Sequence, residues 1–152
     1  MPRRPPVALL ALALAGACSA TGTTTPKDAA SVAPVNGLSA DTLLTCRALK
    51  GLLPKELASG VRLRTATPLS DSSSAYGDPV IGVRCGVKEG NALDDPYEFD
   101  GVTWAMHDTG ASRTWTTRGL KVNVAVEIPD AYDGQAEMLG ALAKPLTTAQ
   151  RT

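Results

Sequence analysis

Cys46 and Cys85 constrain the fold of this chain more than any other pair of residues. They lie on segments of different periodicity, and both periodicities turn the thiol inward. Residues 40–52 read as a helix capped by Ser39 and stopped by Pro54. Leu43, Cys46, Leu49 and Leu53 fall at helical spacing, flanked by Leu44, Ala48 and Leu52, so Cys46 belongs to the apolar stripe. Residues 80–87 read as a strand in which Ile81, Val83, Cys85 and Val87 share one face. A helix and a strand that aim their thiols at one core can be bridged.

The third cysteine has a different context. Met1-Pro2-Arg3-Arg4-Pro5-Pro6 is a short basic region, and residues 7–15 are an apolar run followed by Gly16-Ala17-Cys18. The run is too short to span a bilayer, which takes about 20 apolar residues, but it suits the core of a signal peptide. Small residues leading to a cysteine mark a lipoprotein signal, so residues 1–17 are expected to be removed and Cys18 to carry lipid. An ordinary secretion signal cut after Ala17 or Ala20 is the alternative. Arg3-Arg4 does not make a twin-arginine signal, because Pro5-Pro6 follow. With Cys18 lipidated or removed, an even pair remains, and thiol pairs outside the cytoplasm tend to oxidise. A Cys46–Cys85 disulfide is expected, with a contribution of about 4 kcal/mol from loop closure. Neither a zinc site nor a redox site is as well supported: no histidine lies near the cysteines, and CxxC does not occur.

Residues 19–37 are rich in Ser, Thr, Ala, Pro and Gly and contain no large apolar side chain. They read as a flexible tether, giving a signal peptide over 1–17, lipidated Cys18 and tether over 18–37, and a globular domain over 38–152. Cleavage removes Arg3 and Arg4 from the 15 basic residues, leaving 13 against 15 acidic ones and a net charge near −2. Without concentrated positive charge, nucleic acid is not an expected partner. The expected partners are the membrane, through the anchor on its extracytoplasmic face, and an envelope protein or small-molecule ligand.

The remaining elements follow from alternation and turn chemistry. Residues 61–65 form a strand, Asp71-Ser72-Ser73-Ser74 a loop, and Gly77-Asp78-Pro79 a turn. Lys88 to Pro96 is a polar loop. Strands are expected over 99–107, 112–117 and 122–128, as a meander. With loops at 108–111 and 118–119, Trp104 faces Trp115 and Trp115 faces Val122. Asp130 caps a last helix, with Ala136, Leu139, Ala143 and Leu146 as its stripe and Pro145 weakening its end. The fold class is α+β: an antiparallel sheet of about five strands, with an N-terminal and a C-terminal helix packed on it and one disulfide.

Ala75-Tyr76-Gly77-Asp78-Pro79 followed by Val80-Ile81-Gly82-Val83-Arg84-Cys85-Gly86-Val87 carries a resemblance. With Cys46 near Leu53-Pro54, Gly101-Val102-Thr103-Trp104, Thr116-Thr117-Arg118, Val126-Glu127-Ile128-Pro129 and Tyr132, it resembles an actinobacterial family of unknown function, domain-of-unknown-function family 3515. Tyr76 stands where that family usually has Trp. The resemblance covers residues 38–150. It implies an exported protein or lipoprotein and brings no activity with it.

Several residues invite a chemical reading. His107, Asp108 and Ser112 suggest a catalytic triad, but no GxSxG elbow occurs and neighbouring strand residues point to opposite faces, so a surface histidine at a turn is the plainer reading. Asp94, Asp95, Glu98 and Asp100 suggest calcium or paired-carboxylate chemistry, but they lack an alternating ligand register and include Pro96. Trp104 and Trp115 suggest an aromatic platform, against which stands core packing. Arg62, Arg64 and Arg84 suggest an anion-holding sheet face, against which stands a solvated one. No catalytic, metal or cofactor motif emerges. The functional expectation is a non-enzymatic, membrane-anchored binding or accessory domain. An envelope hydrolase with a carboxylate site over 94–108 is the alternative.

Overall fold

The computed structural model describes residues 29–151. The expected signal peptide, Cys18 and the first part of the expected tether lie outside the described residues. Ten elements follow in order: β1 (Ala29–Ser31), α1 (Ala40–Leu52), β2 (Leu63–Thr67), β3 (Ser73–Tyr76), β4 (Ile81–Val87), β5 (Pro96–Phe99), β6 (Val102–Asp108), β7 (Ser112–Arg118), β8 (Asn123–Pro129) and α2 (Gln135–Ala149). The strands make one sheet of 8 in the order β1-β2-β3-β4-β8-β7-β6-β5.

The α+β class and the two helices agree with expectation, but the sheet is larger and mixed. β1, β3 and β5 are the added strands, and β1 pairs parallel to β2. Each lacks the signal that betrays a strand. β1 is Ala-Ala-Ser, β3 opens on two serines expected in a loop, and β5 starts at a proline. β1 also moves the domain boundary. Ala30 and Val32 are buried against Ala66 and Ala75 in a small second core. Residues 29–37 therefore include part of the fold rather than tether, and the domain begins no later than Ala29. Just past β1, Val32 packs over Gly82 of β4, where a β-carbon would stand in ordinary contact with it.

The main core lies between the other face of the sheet and the two helices. Ile81, Val83 and Cys85 of β4 and Val124, Val126 and Ile128 of β8 meet Cys46 and Leu49 of α1 and Leu139, Leu142 and Leu146 of α2. Cys46 and Cys85 are joined, with 5.6 Å between their Cα atoms. Ser39 caps α1 as expected, its Oγ accepting from the Thr42 N–H at 3.2 Å. The α1 stripe is narrower than its leucines suggest, for Leu44 and Leu52 are exposed. The caps of α2 differ. The helix starts after Gly134 with no side-chain cap, continues through Pro145, and leaves Ala136 exposed. Asp130 is not its cap.

The meander forms, with a shifted register. Trp104 faces Thr117, while Trp115 faces Met106 on one side and Val126 on the other. The shift is by an even number of residues. It therefore leaves every side chain on its expected face, and Trp104, Trp115 and Val122 all enter the main core.

Candidate functional site

The residues singled out in the sequence are dispersed by the fold. His107 is exposed on β6, whereas the Ser112 hydroxyl donates to Glu127 Oε1 at 3.1 Å and contacts Thr109 Oγ1 at 2.9 Å. Asp108 accepts from the Gly110 N–H at 2.7 Å and pairs with Arg113 at 3.8 Å. No Ser–His–Asp relay is assembled.

The four acidic residues are spread along a hairpin. Asp94 and Asp95 precede β5, Glu98 lies on it, and Asp100 occupies its turn at φ 49° with its carboxylate against Gly140 of α2. Among the described residues, no three or more His, Cys, Asp or Glu side chains gather as metal ligands would.

Both tryptophans are core residues. Trp104 is fully buried, and the Trp115 indole N–H donates to Gln135 Oε1 at 2.8 Å. Trp115 also takes edge contacts from Tyr97 and Phe99, at centroid distances of 5.3 and 5.6 Å.

Arg62 and Arg64 line one depression and Arg84 another. Arg62 pairs with Glu56 at 2.8 Å, and Arg64 donates to the Gly77 carbonyl at 2.7 Å. Arg84 lies across β1, lining a different depression with Val32 and Glu127.

A cleft that no sequence motif announces is better formed. β2 and β3 pair at Leu63↔Tyr76 and Arg64↔Ala75, and there the pairing stops. β2 continues to Thr67 along β1, while β3 begins at Ser73 along β4. The next rungs of the ladder would join Thr65 to Ser74 and Ala66 to Ser73. These residues instead line a cavity of about 350 Å³, with Leu53, Leu63 and Leu69 around it. Lys50 stands at its wall and donates from Nζ to the Ser70 carbonyl, which ties the end of α1 to the loop that closes the cleft. A second depression of about 680 Å³ shares Leu63, Arg64 and Thr65 with the first and adds Arg62 and Asp78.

The cleft combines apolar walls with a few polar residues, among them Lys50, Thr65 and Ser74. Leu69 and Leu63 are exposed by 79% and 40%. The Ser73 hydroxyl is buried and has no hydrogen-bond partner among the described residues. A buried hydroxyl without a partner costs about 1–3 kcal/mol, and this one lies on the sheet face opposite Leu63 rather than in the cleft. Apolar walls with a few convergent polar groups are what small-ligand sites present. The sequence held two faint signs of this place: apolar Leu69 outside any periodic run, and three consecutive serines after it.

A family model described as Protein of unknown function (DUF3515) matches residues 5–151. No curated protein and no solved structure matches the chain.

Proposed function

The chain belongs to the DUF3515 family, and from that premise we propose that it is a non-enzymatic binding module of the cell envelope. In this reading Cys18 is lipidated after removal of residues 1–17, and the domain is held at the extracytoplasmic face of an actinobacterial membrane. The ligand is held in the cleft between β2 and β3. The observation that carries the reading is the cleft itself, a cavity of about 350 Å³ where the β2–β3 pairing ends, with Leu53, Leu63 and Leu69 around it. The anchor rests on the N-terminal pattern. Two acyl chains hold a protein stably to a bilayer where one does so only marginally. The hydrolase alternative is less well supported, because Asp94, Asp95, Glu98 and Asp100 do not converge on one point.

Binding is tested by thermal-shift measurement on the mature chain carrying Cys18→Ser, against metals, envelope sugars, lipid head groups and short peptides. A ligand at 100 times its dissociation constant adds about 2.7 kcal/mol. The expected outcome is a shift with one class of compound that Leu69→Asp removes. A shift that survives Leu69→Asp, or no shift across the panel, overturns the cleft as the seat. The anchor is tested separately by metabolic labelling with an alkyne fatty acid: label lost in Cys18→Ser supports it, and an unlabelled wild-type chain overturns it.

A further inference from the structure

We infer that the cleft takes a single-chain anionic amphiphile, a medium-chain fatty acid, with its carboxylate at Lys50 and its tail along Leu53, Leu63 and Leu69. The inference rests on the reading that the cleft is a ligand seat, and it specifies what that seat recognises.

The apolar part follows from where the sheet extends past its helix. Leu63 pairs with Tyr76, whose phenol reaches the Pro54 carbonyl, so Leu63 lies on the face that carries α1. Thr65 and Ser74 share that face by alternation. The Cys46–Cys85 bond fastens α1 over β4, two strands away from β2. The β2 end of the face is left open, and Leu63 and Thr65 are exposed there. Leu53 borders the opening from the end of α1, and Leu69 from the loop after β2. These side chains are reached from solvent without parting any strand. The cavity of about 350 Å³ is near the lower end of ligand pockets, roughly 300–1,000 Å³, so it suits one short chain rather than two.

The charge follows from Lys50. Its side chain is half-buried on the cleft wall, and its ammonium is held by the Ser70 carbonyl, next in the chain to Leu69. An ammonium carries three donors, so two remain for a ligand. Among the described residues no carboxylate pairs with Lys50, and no acidic residue lines the cleft. Asp71, which follows Ser70, is taken by Arg47, whose Nε and Nη2 donate to it at 3.1 and 2.7 Å. A cation fixed beside exposed leucines complements a ligand that is anionic at one end and apolar along its length. A carboxylate at Lys50 accepts charge-assisted hydrogen bonds, which are stronger than neutral ones. A neutral chain leaves the ammonium unmatched, and a small anion leaves the leucines uncovered.

The test uses the isotopically labelled mature chain with Cys18→Ser and two probes, octanoate and its neutral isostere octanamide. Octanoate is expected to move the Lys50, Leu63 and Leu69 resonances and to bind about tenfold or more tighter than octanamide, the scale of one hydrogen bond to a charged group. Lys50→Met is expected to abolish that preference while leaving octanamide binding unchanged. Lys50→Arg keeps the charge and is expected to keep the preference. The wild-type comparison stands by itself should Lys50→Met loosen the loop at Ser70. Equal or tighter binding of octanamide leaves the cleft as a ligand seat and refutes the anionic occupant. A preference that survives Lys50→Met, or shifts confined to residues away from Leu63 and Leu69, overturns the inference. Binding of neither probe also overturns it, and the seat itself falls only if the wider thermal-shift panel gives no shift either.

Discussion

The Tyr132 hydroxyl lies where a β-carbon on Gly77 would stand, and it donates to the Pro79 carbonyl at 2.7 Å. Gly77 has φ 60°, so its missing side chain serves both the left-handed turn and the seat of the phenol. Gly77→Ala is expected to destabilise the domain by more than the roughly 1–2 kcal/mol of the left-handed backbone alone. Adding Tyr132→Phe should restore part of the loss by removing the clashing oxygen. Denaturant titration of the two single variants and the double variant checks this; additive losses would show that the two residues are not coupled.

The Cys46–Cys85 bond closes a sequence separation of 39 residues, joining α1 to β4 across the main core. Replacing both cysteines by Ala is expected to cost about 4 kcal/mol in the loop-closure account. That is a large share of the roughly 5–15 kcal/mol that holds a domain together. Melting curves with and without reductant should diverge strongly, and coinciding curves would refute the contribution.

The Tyr76 phenol is fully buried and donates to the Pro54 carbonyl at 2.9 Å. Burial pushes its pKa well above the ordinary tyrosine value. The unfolded chain then releases this proton first as pH rises. The folded state binds more protons, and stability falls with pH. The contribution of neutral Tyr76 is fully present below pH ~10 and is lost progressively above it. Tyr132 moves in the same direction, chiefly through burial. Tyr76→Phe is expected to flatten the alkaline loss of stability measured between pH 9 and 11, conditions set around the ordinary pKa of about 10. An unchanged slope would assign that loss to other groups.

Gln135 opens α2 and accepts the Trp115 indole N–H inside the core. Gln135→Leu keeps the volume but leaves that N–H buried without an acceptor, at a cost of about 1–3 kcal/mol. The fluorescence of Trp115 should shift to the blue as its polar partner is lost. Trp104, whose own indole N–H has no partner among the described residues, supplies the internal comparison. Unaltered stability and emission would mean that water replaces the glutamine.

Legibility followed the size and regularity of the side chains. β4, β6, β7 and β8 announced themselves because Val, Ile, Trp and Cys alternate along them, and α1 because Ser39 and Pro54 bound an apolar stripe. β1 and β3 did not, since Ala and Ser carry too little apolar surface to mark a face. They enter the sheet because a neighbouring strand supplies the hydrogen bonds. The meander register departs from expectation for a related reason. The alternation sets which face a residue takes, whereas loop length sets its partner, and the loop after β7 extends from Gly119 to Val122 rather than ending at the tight turn expected.

The candidate site was less legible than the fold. Residues marked for their chemistry, His107, Asp108, Asp94 and the arginines, lie apart or are engaged with near neighbours. The cleft is made of Ser73, Ala66, Thr65 and leucines that carry no chemical signature. Taken alone, the amino-acid sequence determined the class of the fold, the inward aim of Cys46 and Cys85, and the faces of the long strands, because these depend on periodicity within a segment. Only the tertiary structure decided where β1 pairs and where β2 and β3 part, because strand pairing is a competition between distant segments for the same main-chain hydrogen bonds. β2 pairs with β1 on one edge and β3 on the other, β3 runs on along β4, and the cleft lies where the β2–β3 pairing ends.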